Sequence, residues 1–155
     1  MPIRRGSAST VGLRKFFPTR SCALVEIRVS QINGCACCLD LHTTGARHPG
    51  ASQQRLEQRL DCPAAWHEAP FFSGCERAAL ACAEAVTRIA ESRAPDEVYA
   101  EVKKHFSDKE LMDLTVVIAM INAWNRLSVA FRSEPIERRP DPLDKSARLD
   151  VRENH

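Results

Sequence analysis

The stretch RVSQINGCACCLDLH, residues 28–42, decides how the rest of the chain reads. Before it, the pattern from Ser21 to Ile32 fits a short helix, and Asn33-Gly34 breaks that helix because glycine tolerates a positive φ. A second helix is predicted to begin at Cys35 and to run to about Arg47, where His48-Pro49-Gly50 ends it. Cys35, Cys38 and His42 then stand at i, i+3 and i+7, which brings two sulfurs and an imidazole to one face.

That arrangement suits thiol redox chemistry. Unpaired N–H groups and the positive dipole end of a helix favour thiolate over thiol, so a low-pKa thiolate is expected there. A thiolate attacks a peroxide oxygen, and a second thiol one turn away condenses with the sulfenic acid that results. His42 is placed to take a proton from Cys38 or to give one to the leaving alkoxide. Two other readings compete. A structural Zn²⁺ site would use Cys35, Cys38 and His42 with one more thiolate, although no second C-x-x-C or C-x-x-H pair is present to close it. Alternatively the cysteines are buried and inert. Cys37 points about 100° away from Cys38 on a helix and reads as a bystander. Cys22, Cys62, Cys75 and Cys82 read as packing residues.

Outward from this segment the pattern remains helical. Ser52 to Leu60 reads as a short polar helix, and Pro63 to Phe72 as a linker or single turn. Ser73 with Glu76, and Ser107 with Glu110, are capping boxes. The first opens a helix through Ala90; the second opens one that reaches Phe131. Pro95 is expected at the first position of a helix to about His105. Leu111, Leu114, Ile118, Ile121 and Phe131 recur at helical spacing, with Trp124 close to that stripe. Residues 115–121 are apolar nearly all round, which implies burial in the fold or against a second subunit. The expected organisation is a basic, disordered start over 1–20, a helical domain over 21–132 and a charged, proline-containing tail over 133–155.

The whole chain narrows the function classes. It has 155 residues, 44% of them hydrophobic and 27% charged, which fits one domain or one subunit of an oligomer. The formal net charge is +2, but Arg4, Arg5, Arg14, Lys15 and Arg20 crowd the first 25 residues without an acid, leaving the body acidic. Such a body is a poor match for nucleic acid, and no run is long and apolar enough to span a bilayer. The same arginine- and serine-rich start is also how organelle transit peptides read. Seven cysteines, three of them within four positions, are not a secreted disulfide framework and point to a reducing compartment such as the cytoplasm.

The segment 28–42 resembles the core motif of the carboxymuconolactone decarboxylase superfamily, in its branch of AhpD-like alkylhydroperoxidases. The resemblance continues through AWHEAPFF (65–72), ERAAL (76–80), PDEV (95–98), HFSDKEL (105–111) and INAWNRL (121–127), and covers about residues 24–132. It implies an all-α, AhpD-like bundle of about six helices that assembles as a homo-oligomer, a trimer or hexamer. It implies Cys38 as the peroxide-attacking thiol and Cys35 as the resolving one. It also implies a hydroperoxide substrate and an external dithiol or lipoyl-bearing protein as reductant, with no metal or organic cofactor. The family pattern places a relay glutamate twelve positions before the first motif cysteine, where this chain has Ala23; Glu26 lies three residues on, either as a replacement or as a solvated surface acid. A thiol peroxidase is therefore the leading expectation. A non-turnover redox sensor and a decarboxylase of muconolactone-type acids are the alternatives. Trp66 and Trp124 read as core or interface aromatics, Asn122 and Asn125 as satisfying buried backbone groups, with lining the pocket as the lesser alternative, and His67 and His105 as surface residues.

Overall fold

The computed structural model describes residues 19–47 and 59–135. Among them are six α-helices, one 3₁₀ turn and no strand: α1 (Thr19–Ile32), α2 (Ala36–Ala46), the turn Pro63–Ala65, α3 (Gly74–Thr87), α4 (Ile89–Ser92), α5 (Asp96–His105) and α6 (Asp108–Ala130). The all-α architecture expected from the sequence is the one observed among the described residues. Most of the predicted polar helix over 52–60, the basic start over 1–18 and the tail over 136–155 lie outside the described residues. No helix among the described residues is long and apolar enough to cross a membrane.

Helix α1 is the centre of the bundle because it is apolar on nearly every side. Cys22, Val25 and Val29 pack with Ala78, Ala79 and Ala83 of α3 and with Leu114, Val117 and Ile118 of α6. Leu24 and Ile27 pack oppositely, with Leu60, Trp66, Phe72 and Leu80. The alanine-rich face of α3 lets the two backbones approach closely, as small side chains do. A helix buried on both sides hides whatever polar residue it carries, and Glu26 and Ser30 are both fully buried.

Both predicted capping boxes form. Ser73 Oγ accepts from Glu76 N, and Ser107 Oγ accepts from Glu110 N, with each glutamate reaching back to the cap. The first is further braced: Arg59 donates to Glu76 Oε1 at 3.2 Å and to the Phe71 carbonyl at 2.9 Å. Arg77 donates to the carbonyls of Trp66, Ala69 and Phe72, so one guanidinium satisfies a loop without a ladder of its own.

Three boundaries differ from expectation. Helix α3 stops at Thr87 rather than Ala90; Arg88 leaves helical geometry and α4 adds one separate turn. Pro95 is the N-cap of α5 and not its first helical residue, since its ψ of 148° is extended. Phe131 is the C-cap of α6 and 66% exposed, because the last turn runs past the bundle.

The junction between α1 and α2 is a Schellman turn. Gly34 N donates to Gln31 O at 3.3 Å and Cys35 N to Ser30 O at 3.0 Å, around Gly34 at φ +64°. A Cβ on Gly34 would meet nothing within 4 Å, so only backbone strain opposes a side chain. Gly34→Ala is expected to lower the unfolding free energy by about 1–2 kcal/mol, and Gly34→Asn by less, since Asn tolerates the left-handed region. Urea denaturation of the three proteins checks the order.

Candidate functional site

Cys35 closes one helix and opens the next. Its N–H completes the Schellman turn of α1, while its side chain is the N-cap of α2, with Sγ accepting from Cys38 N at 3.4 Å. Cys38 follows in the first turn of α2, so the two sulfurs are held together by the helix start itself. Both residues are thiols and both are buried, with 1% and 4% exposure. Cys37 is half-buried against the same core.

Four residues along α2, His42 is held from behind. Its Nδ1 lies 3.0 Å from Glu26 Oε2, and Glu26 is fully buried. The reading of Glu26 as a solvated surface acid is therefore incorrect: α1 is covered on both sides, and its carboxylate faces the imidazole. Ala23, at the family's relay position, is buried in α1 without a polar group to offer. His42 stands four residues after Cys38, on the next turn of α2.

The thiol itself departs from expectation. Burial, then the hydrogen bond with Cys35, push the Cys38 thiol up to about 11, against a lowering by Ser128 and Asn125. A low-pKa thiolate fits an exposed helix start; here Cys38 is the one residue of α2 that is buried, and desolvation outweighs the helix end. At neutral pH the Cys38 thiol is therefore held in its protonated form. Cys82, deep in α3, is likewise pushed up to about 11 by burial, consistent with a packing role.

Two residues of α6 complete the surroundings of Cys38; the sequence offered a pocket-lining role for Asn125 only as the lesser alternative, and none for Ser128. The Cys38 thiol donates to Ser128 Oγ at 3.6 Å, and the Asn125 side chain reaches the same sulfur. Asn122, Asn125 and Ser128 recur every third residue in the second half of α6, which is otherwise apolar except for Arg126. That polar stripe was the available signal. Asn125 is fully buried and Asn122 nearly so. Asn33 Nδ2 donates to both their Oδ1 atoms at 2.9 Å, which fastens the turn before Cys35 to α6.

A second polar cluster lies on the other side of α1. Glu84 Oε1 accepts from Arg28 Nε at 2.7 Å and Trp66 Nε1 at 3.0 Å, with His67 stacked on Trp66. Burial pushes Glu84 up, but the bonds from Trp66 and Arg28 prevail and hold its carboxyl below the ordinary range. This cluster locks the 63–72 loop to α1 and α3. Trp66 is thus a core residue with its N–H satisfied. No group of three or more histidine, cysteine or acidic side chains positioned for a metal ion is found among the described residues.

A dithiol at a helix start, backed by a carboxylate-held imidazole in an all-helical bundle, defines a class, and known proteins place the chain within it. The carboxymuconolactone decarboxylase family model matches residues 17–85. The uncharacterized protein YdfG of Bacillus subtilis (strain 168) is 47% identical over 107 residues, 69% of this chain and 70% of YdfG. The crystal structure of ATU0492 from Agrobacterium tumefaciens, a protein of unknown function assigned to AhpD-type antioxidant defence, is 38% identical with a TM-score of 0.75, covering 84% of this chain and 90% of that one. An uncharacterized peroxidase-related protein from Silicibacter sp. TM1040 shares the fold at a TM-score of 0.66 and 23% identity, over 78% of this chain and 61% of that one. The chain belongs to the carboxymuconolactone decarboxylase family, in its AhpD-like branch.

The raised Cys38 pKa has a measurable consequence. The anion is the reactive form, and an acid whose pKa is raised stays protonated until higher pH. Alkylation of Cys38 by iodoacetamide, followed by tandem mass spectrometry on the reduced protein, is expected to accelerate about tenfold per pH unit from 7 to 9. A plateau below pH 8 would contradict the raised value.

Proposed function

We propose that the protein is a thiol-dependent peroxidase working through a Cys35/Cys38 dithiol–disulfide cycle. The observation that carries this reading is the pairing of the two thiols at the start of α2 with the Glu26–His42 couple on the following turn. Bound to a carboxylate through Nδ1–H, the imidazole keeps a lone pair on Nε2 and serves as the base. A buried thiol with a pKa near 11 needs such a base close by, since solvent alone leaves it protonated.

The cycle balances with a hydroperoxide and one external dithiol. His42 takes the Cys38 proton; the thiolate attacks the distal peroxide oxygen, an S–O bond forms and the O–O bond breaks. The imidazolium protonates the departing alkoxide, giving an alcohol and a sulfenic acid on Cys38. The Cys35 thiol attacks that sulfur, the S–S bond forms, and water leaves with the Cys35 proton. Two thiols of an external reductant, a small dithiol or a lipoyl-type carrier, restore the pair by exchange. The adjacency of Cys35 and Cys38 across a single turn suits that step, because the chain moves little to close the bond.

A second reading is a redox sensor that forms the disulfide without appreciable turnover, and the burial of Cys38 favours it. Consumption of an alkyl hydroperoxide in the presence of dithiothreitol or lipoamide separates the two. Steady turnover by the wild type is expected, with near-total loss in Cys38→Ser, loss of the catalytic disulfide cycle in Cys35→Ser, and a fall of about 10–100-fold in Glu26→Gln. Stoichiometric oxidation without turnover favours the sensor. Unchanged activity in Cys38→Ser overturns the assignment of the nucleophile.

A further inference from the structure

The buried amides around Asn33 admit one orientation, and that orientation has a chemical meaning at Cys38. At one end, Asn122 Nδ2 donates to the Ile118 carbonyl at 2.9 Å, while Arg126 Nη1 donates to Asn122 Oδ1 at 2.9 Å. A main-chain carbonyl only accepts and a guanidinium only donates, so the Asn122 amide cannot be flipped. Its Oδ1 therefore requires a donor from Asn33, and the same Asn33 Nδ2 meets Asn125 at 2.9 Å, which must present Oδ1.

The other end agrees independently. Ser30 Oγ lies 2.7 Å from the Glu26 carbonyl and spends its proton there. Its lone pair then accepts from Asn125 at 3.1 Å, which must present Nδ2. Both ends thus aim the Asn125 amide nitrogen away from Asn33 and toward Ser30. One of its two protons goes to Ser30, and the second stays available to Cys38, whose ionisation the Asn125 side chain favours.

Ser128, three residues on along α6, supplies a partner of a different kind. In the thiol form, Cys38 donates to Ser128 Oγ at 3.6 Å. A hydroxyl both accepts and donates, so once the thiol loses its proton the Ser128 O–H turns to donate to the anion. Asn125 is locked and Ser128 is free to rotate; between them the sulfur gains two donors when it becomes charged.

We propose that Asn125 and Ser128 form a two-donor pocket on α6 that stabilises the anionic Cys38 sulfur in the peroxidase reaction. This rests on the reading of Cys38 as the nucleophile. The proton that leaves Cys38 goes to His42, as above; Asn125 and Ser128 transfer no proton and hold the charge left behind. The pocket partly offsets the burial that keeps Cys38 protonated, and the same two donors face the sulfenate oxygen region after peroxide attack. Charge-assisted hydrogen bonds of this kind are the strong ones in a site sheltered from water. Asn125 is then more than the satisfied core amide its sequence position suggests.

The test reads Cys38 directly and needs no peroxide. Iodoacetamide alkylation of Cys38 is followed against pH for the wild type, Ser128→Ala, Asn125→Ala and Asn125→Asp, with Cys75 on α3 as internal reference. Ser128→Ala and Asn125→Ala are each expected to slow Cys38 at pH 8 by about five- to tenfold, leaving Cys75 unchanged. Asn125→Asp, which replaces a donor by a negative acceptor beside the sulfur, is expected to slow it further. Circular dichroism and thermal unfolding establish that each variant is folded; if the Asn125 variants are not, Ser128→Ala decides alone. Wild-type Cys38 profiles in the folded variants overturn the proposal, and they do so even if the peroxide assay shows turnover. A shifted profile with no turnover of peroxide would instead retain the pocket and remove the peroxidase.

Discussion

The hydrogen bond from Cys35 N–H to the Ser30 carbonyl is the constraint on which the site depends. It closes α1 through a left-handed glycine and fixes the direction in which α2 departs. The residue that donates it is also the N-cap of α2, so the position of Cys35 is set twice, by the end of one helix and the start of another. Cys38 inherits its place from that start, and His42 from the next turn. The Glu26 carboxylate reaches His42 because α2 folds back along α1 after the turn. A looser connection would leave the same residues in the chain without holding the Cys38 N–H 3.4 Å from Cys35 Sγ and the His42 ring 3.0 Å from Glu26.

Two effects oppose each other at Cys38. The helix start favours an anion by about 0.3–1 kcal/mol. Removal from water disfavours it by more, and the neighbouring Cys35 sulfur adds to the disfavour. Burial prevails, so the thiol waits in its protonated form. That state has an advantage for a thiol protein: a largely protonated, nearly enclosed sulfur reacts slowly with adventitious oxidants. In the proposed cycle the cost is dependence on neighbouring groups to ionise it, which places the burden on His42 and on the donors offered to the sulfur.

Much of this was legible in the sequence. The two capping boxes and the Asn33-Gly34 stop are local signals, and local geometry bore them out as structure. What local patterns missed depends on what lies across the interior. Glu26 read equally as surface or site because its own helix gives no polar face; the run from Cys22 to Val29, apolar on nearly every side, was the clue that α1 is central and that its one acid is enclosed. Phe131 continued an apolar stripe in register, yet the bundle ends before it. The pKa of Cys38 was misjudged for the same reason: a helix start is visible in sequence, whereas its depth is not.

The Asn33, Asn122 and Asn125 cluster shows why depth matters for the chemistry as well as for stability. Buried amides are costly unless every group is paired, and a network that meets this demand becomes stiff in a single orientation. Here the stiffness runs from the Ile118 carbonyl and the Arg126 guanidinium through Asn33 to Ser30, and it passes beside the reactive sulfur on the way. The same bonds that tie the turn before Cys35 to α6 therefore decide which atom of Asn125 faces Cys38. Fold and site are not separable at this point: the polar groups that satisfy the interior also set the electrostatic surroundings of the thiol, and a change that disturbs one disturbs the other.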